Sequence, residues 1–351
     1  MTALRLLAGK TAYQQIEQNG LSASMFSQLF AASGGPKWIG VAGLDKYLFG
    51  EFFANRQAPL YTMGASSGAW RLACLAQQDP LAAYSRLEEH YIGQRYDHVP
   101  SRQEVTEQVE RIIGGILGKH GALDIVNNRM IQSHFVVCKA KHINASRSKG
   151  KLALGLAATA LSNAVSRRSL GWHFERVVFS HQQVKSPFSQ LSDLPTEHAQ
   201  LTRNNINQVL LATGSIPMLL APVNKINGVS DGAYYDGGIT DYHFDMPTNE
   251  PEGLSLYPHF YPHMSPGWFD KSLKWRRARQ HYHNALVLTP SQEFISSLPY
   301  SKIPDREDFK QLSSDSRIAY WREALKRSEQ LGEIFASIVD KQSIMDVIEP
   351  L

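Results

Sequence analysis

Cysteine is almost missing from this chain: Cys74 and Cys138 are the only two among 351 residues, and they form no C-x-x-C pair. That excludes a disulfide framework and a thiolate metal site, and it points to a reducing compartment. Long hydrophobic runs are absent as well. No stretch approaches the roughly 18 to 20 consecutive apolar residues of a spanning helix, so any membrane contact is expected to be peripheral. Charge is sparse, at 19% of residues against 43% hydrophobic, which excludes a disordered polyelectrolyte. The net charge of +4 permits an anionic surface as partner without demanding one, and no basic tail points to nucleic acid. The opening "MTALRLLAGKTAYQQIEQNG" lacks the long apolar core and small-residue cleavage site of a signal peptide. It reads as cytoplasmic, with peripheral access to the inner membrane face.

Acidic residues are missing from one region altogether. Between 125 and 174 there is no Asp or Glu, while Lys149, Lys151, Arg167 and Arg168 bracket "LALGLAATALSNAV" (152–165), which is apolar nearly all round. A helix of this length, roughly 21 Å, is too short to span a bilayer. It suits either a headgroup boundary, with the four cations facing anionic lipid, or burial in the core or a dimer interface.

What is present is a repeated strand, glycine turn and helix. "SMFSQLFAA" (24–32) breaks at "SGGPKW" and gives way to a helical "IGVAGLDKYLFGEFF"; "APLYTM" breaks at "GASSG" and gives way to "AWRLACLAQQ". Two such units predict an α/β sandwich. "IQSHFVVCKAK" (131–141) and "HFERVVFSHQ" (173–182) are strand candidates that could pair. A helix over 202–223 stops at "GSIP", and "RIAYWREALKRSEQLGEIFASIVD" predicts an amphipathic C-terminal helix.

The turn "GASSG" has the pattern of a nucleophile elbow, in which a serine stands in a strained turn with minimal side chains two positions to either side. Gly64 and Gly68 meet that need for Ser66. Ser67, flanked by Ala65 and Ala69, then opens a helix with its N–H free to face an oxyanion. Gly34 and Gly35 offer two more unshielded N–H groups. Their loop lacks G-x-x-x-x-G-K-[ST], which disfavours a nucleotide phosphate. Asp236, followed by Gly237 and Gly238, could serve as base if burial raised its pKa. Asp231 is the rival carboxylate.

Four elements in order, "SGGPK", "GASSG", "ATGSIPMLLAPV" and "DGGITD", resemble the patatin-like phospholipases over roughly residues 24–245. The resemblance implies a three-layer sandwich with a central, mainly parallel sheet, and an acyl hydrolase that works through a Ser-Asp dyad without cofactor or metal. It makes Ser66 the nucleophile, Asp236 the base, and Gly34, Gly35 and Ser67 the oxyanion hole. Lys37, Gly64, Gly68, Gly237 and Gly238 play supporting parts. Ser33 and Trp38 depart from the family's glycine-rich loop. The chain then divides into a hydrolase core, 1–250, with a basic apolar insertion at about 143–172, and an extension, 251–351, packed on the core. Lipid or acyl-ester substrates follow. A soluble ester, an alcohol acceptor in place of water, or a catalytically weak interaction protein at a membrane remain alternatives. His243, His259, His263, His281 and His283 follow Asp236 but sit in no catalytic motif, and Pro258, Pro262 and Pro266 deny His259 and His263 a shared helix face.

Overall fold

The computed structural model describes residues 2–181, 186–248 and 253–351. Ten strands build one sheet: β1 (Leu4–Ala8), β2 (Phe26–Ala31), β3 (Leu60–Gly64), β4 (Ile131–Ala140), β5 (Phe174–Ser180), β6 (Thr196–Gln200), β7 (Ala233–Asp236), β8 (Leu254–Pro258), β9 (Ala285–Pro290) and β10 (Ile348–Pro350). Their order is β10-β1-β9-β8-β2-β3-β4-β5-β6, with β7 paired to β4 beside that path. The central pairs β9/β8, β8/β2, β2/β3 and β3/β4 are parallel, whereas β1/β9, β4/β5 and β4/β7 are antiparallel. The result is an α/β fold with a mixed, mostly parallel sheet flanked by helices. The central strands are buried on both faces, which is why "LSLYP" and "ALVLTP" are mostly apolar, and their polar members Ser255 and Thr289 are buried too.

The strand candidates at 131–141 and 173–182 pair as expected, from His134 opposite Ser180 to Ala140 opposite Phe174; residue 182 itself lies outside the described residues. The helix predicted after "SGGPKW" is broken into a 3-10 turn (Gly35–Val41), an α-helix (Ala42–Tyr47) and a π-turn (Leu48–Phe52). The C-terminal helix, Ser314–Lys341, crosses the α-helical part closely. A Cβ on Gly43 would stand 2.3 Å from the Ser328 carbonyl oxygen, and the Gly43 N–H donates to Ser328 Oγ at 2.9 Å. Only Ile206–Thr213 of the 202–223 segment is an α-helix, and it stops at Gly214.

The boundary expected at residue 250 lies outside the described residues. Beyond it, β8 and β9 enter the sheet between β1 and β2, and β10 pairs with β1. The C-terminal segment therefore builds part of the sheet. Pro and aromatic residues at 257–268 mask this in the sequence, because they disrupt the strand period just where β8 ends.

A buried ion pair anchors the helix that follows the elbow, Ser67–Leu75. Arg71 donates to both carboxylate oxygens of Asp45 at 2.6 and 2.7 Å, and the Tyr84 hydroxyl donates to the same carboxylate at 2.7 Å. All three residues are fully buried. Removing one partner strands a buried charge, so Asp45→Ala should cost about 3–5 kcal/mol. The triple substitution Asp45→Leu/Arg71→Met/Tyr84→Phe, which removes every partner at once, should cost far less. Thermal and urea melts of the single and triple variants measure the difference, and equal losses would contradict this account.

Candidate active site

The site is assembled where two strands meet end to end along one edge of β4. β3 runs parallel to β4 and finishes at Gly64 opposite Phe135; β7 runs antiparallel to β4 and finishes at Asp236 opposite Val137. Val136 lies between the two ends. Its carbonyl oxygen accepts the Thr213 hydroxyl at 2.6 Å, and Thr213 Oγ1 in turn accepts the Ser66 N–H at 2.9 Å. The chain passes so near that a Cβ on Gly237 would come within 2.1 Å of the Val136 oxygen.

Ser66 occupies this junction with φ +53° and ψ −133°, a conformation that costs a non-glycine residue about 1–3 kcal/mol. A side chain at position 68 is forbidden, because it would lie 2.0 Å from the Ala31 carbonyl oxygen at the end of β2. Gly64 likewise meets the backbone of the elbow helix. The strained turn is thus wedged between β2 and β3, and its serine lines one pocket with Asp236.

Asp236 is buried, with Oδ1 accepting the Gly238 N–H at 2.7 Å and its own N–H held by the Ser215 carbonyl at 2.9 Å. Burial raises its pKa above the ordinary aspartate range, against the opposing pull of Arg306, the nearby Ser66 hydroxyl, the Gly238 N–H and Lys271. Asp231 is exposed in a turn and lies outside the pocket lining. None of the five later histidines lines the pocket either. His243 and His259 are buried and held uncharged by desolvation, His259 down to about 3, and His281 pairs with Asp245 at 2.9 Å.

Ser66 and Asp236 share a narrow pocket that Ser33, Tyr242, Trp268 and Arg306 also line. The Ser33 N–H donates to the Tyr242 carbonyl at 3.0 Å, and the Tyr242 N–H to that of Pro266 at 2.8 Å, which pins the glycine turn to the opposite wall. Gly34 packs on Phe260, and Gly35 has φ +58°. The N–H groups of Gly34, Gly35 and Ser67 donate to no acceptor among the described residues. They are available donors next in sequence to the pocket-lining residues Ser33 and Ser66. Lys37 sits half-buried in the same turn, its pKa lowered chiefly by desolvation.

The four cations assigned to docking separate. Lys149, Lys151 and Arg168 are exposed. Arg167 is not available for a bilayer: it donates to the Thr240 carbonyl at 2.6 Å and lies 3.6 Å from Asp270 and 3.8 Å from Asp241. Both acids are distant in sequence, so the deficit of charge around 167 hid its partners. Tyr242, Trp268, Lys271 and Arg306 carry no signal in the sequence as site residues, since each comes from a segment without a motif; Thr213 lies within "ATGSIPMLLAPV", but nothing in that stretch marks its hydroxyl as the tie to Ser66. Among the described residues no group of three or more His, Cys, Asp or Glu could hold a metal ion.

No family model matches the chain, and no curated protein matches it. Among solved structures it is similar to VipD from Legionella pneumophila, with a TM-score of 0.35 and 12% identity over 95% of this chain and 70% of that one. A likeness at that level leaves the fold to be read from the sheet itself.

Proposed function

We propose that the chain is a patatin-like serine acyl hydrolase that cleaves carboxylic ester bonds of lipids through Ser66 and Asp236. The observation that carries this reading is a strained elbow serine that shares a pocket with a buried carboxylate of raised pKa. Asp236 takes the Ser66 proton as Oγ attacks the ester carbonyl. The N–H groups of Gly34, Gly35 and Ser67 receive the charge on the tetrahedral oxygen. Collapse of the intermediate returns the proton to the leaving alcohol and leaves an acyl-serine. Water, activated by Asp236, then releases the acid and restores the serine.

A lipid substrate is favoured over a soluble ester by the apolar surface around the site. Met218 and Leu219, which follow the pocket residues Ile216 and Pro217, are exposed. The insertion forms a helix, Lys149–Val165, that buries only Leu152, Gly155, Thr159 and Asn163. Leu154, Leu161 and Val165 are 65, 74 and 87% exposed, and Trp172 is 70% exposed. This helix abuts the pocket: Asn163 donates to Asp270 at 2.7 Å, on the turn that carries Trp268. Its apolar face and the cations Lys149, Lys151 and Arg168 fit an anionic bilayer surface. No described helix is long and apolar enough to cross one.

Ser66→Ala and Asp236→Asn should each lower kcat on a lipid ester by about a thousandfold or more. The melting temperature of Asp236→Asn should hold or rise. A carboxyl whose folded pKa is raised stabilises the fold only while protonated, and that contribution is lost as pH rises through the raised value, so at neutral pH its ionised form is a net cost. The acid limb of kcat should accordingly lie above the roughly 3.9 of an ordinary aspartate. Full activity in Asp236→Asn would refute the dyad.

Vesicle co-sedimentation tests the docking helix. Each of three basic residues contributes about 1 kcal/mol near an anionic surface, so Lys149→Gln/Lys151→Gln/Arg168→Gln should weaken binding to phosphatidylglycerol vesicles roughly a hundredfold at low salt. Unchanged binding, or none by wild type, would assign the apolar face to another occupant such as a second copy of the chain.

A further inference from the structure

A cavity of about 390 Å³ lies apart from the Ser66 pocket and shares no lining residue with it. That volume falls within the roughly 300–1,000 Å³ of small-molecule sites. Five of its lining residues are basic: Lys10 at the start of the helix Lys10–Asn19, His263 in the loop after β8, and Arg277, Arg279 and His283 in the segment that leads into β9. No Asp or Glu lines it. Leu351 does, tied by its N–H to the Ala8 carbonyl at 2.9 Å, yet none of the five basic groups forms a salt bridge among the described residues.

The floor is apolar and bonded within itself. The Ala278 N–H donates to the Met264 carbonyl at 3.0 Å, and the buried Tyr282 donates its hydroxyl to the His243 and Phe244 carbonyls, each at 2.8 Å. Two of the basic groups are held in place as well. One amino group of Arg277 donates to Ser265 Oγ at 2.7 Å, which leaves Nε and the other amino group without an acceptor among the described residues. His263 stacks on Tyr261, with ring centres 5.3 Å apart and the planes 3° from parallel. The helix N-terminus adds little, because the Thr11 and Ala12 N–H groups already donate to the His283 carbonyl.

We infer that this cavity binds a small organic molecule carrying two or more phosphates, gripped by Arg277, Arg279 and Lys10 and supported by His263 and His283. The statement does not rest on the acyl-hydrolase reading, and either can fail while the other stands. Two phosphate monoesters carry about 3 to 4 negative charges at neutral pH, which suits three permanent cations with two imidazoles in reserve. A lone carboxylate would leave most of that charge unmatched. Guanidinium forks fit phosphate oxygens two at a time, and the apolar floor gives the organic body a surface to cover. Like charges gathered without partners repel one another, and a bound polyanion removes that cost. The state of His263 agrees, since desolvation and then Arg277 hold it below the usual imidazole range.

The test is calorimetric binding of inositol 1,4-bisphosphate and inositol 1-phosphate, two probes that differ by one phosphate on the same ring. The wild-type chain should bind the bisphosphate about tenfold or more tighter. Arg277→Gln and Arg279→Gln should each weaken that binding about tenfold or more, and Arg277→Lys should recover part of it. Arg279 is exposed, so its variant keeps the test open if loss of the Ser265 contact unfolds Arg277→Gln. A second arm separates a free ligand from a lipid headgroup. It measures co-sedimentation with phosphatidylcholine vesicles containing phosphatidylinositol 4-phosphate, on a Lys149→Gln/Lys151→Gln/Arg168→Gln background that removes the docking cations. Arginine-dependent binding of the soluble bisphosphate supports a free ligand; arginine-dependent binding to the vesicles alone supports a headgroup. No binding in either arm, equal affinity for the two soluble probes without vesicle binding, or binding unmoved in both glutamine variants overturns the inference.

Discussion

The site depends on one backbone constraint: β4 is longer than β3, and the vacant stretch of its edge is filled by β7 running in the opposite sense. Two strands approaching head to head along a common edge must stop before they collide. The residues at which they stop, Gly64 and Asp236, face Phe135 and Val137 on either side of Val136. A nucleophile placed just past one end and a carboxylate placed at the other are then neighbours by strand pairing alone, although most of two hundred residues separate them in the chain. Thr213 ties the arrangement together, because its hydroxyl satisfies the Val136 carbonyl and the Ser66 N–H at once. That bond helps to offset the backbone strain at Ser66.

How much of this was legible in the sequence follows from the range of each interaction. Elbow, glycine turn and Asp-Gly-Gly segment are local features, and each stands where the strand-turn-helix reading put it. The meeting of β3 with β7 is not local. Nothing in "AYYD" declares which edge it will pair with, or that it will run antiparallel beside a parallel neighbour. The close crossing of the C-terminal helix at Gly43 is likewise a contact that no window around residue 43 contains. Arg167 illustrates the same limit in charge. A run free of acids looks like an unneutralised patch until folding brings Asp241 and Asp270 to it.

The segment beyond 250 shows how a pocket is completed from a distance. Its strands lie inside the sheet, and its loops deliver Phe260 against Gly34, Trp268 to the pocket wall and Arg306 beside Gly35. A motif-based reading ends at "DGGITD" and so sees the reacting pair but not the surroundings that tune it. Those surroundings act on Asp236 in two opposed ways: burial lifts its pKa toward that of a useful base, and Arg306 and Lys271 hold it back.

The most direct check of the central claim is peptide mass spectrometry after exposure to a fluorophosphonate, which phosphonylates a serine only where an adjacent base activates it. The account predicts one adduct, on Ser66 of the "YTMGASSGAW" segment, strongly slowed by Asp236→Asn and lost in Ser66→Ala. An adduct on Ser67, or labelling of Ser66 at the wild-type rate in Asp236→Asn, would contradict it.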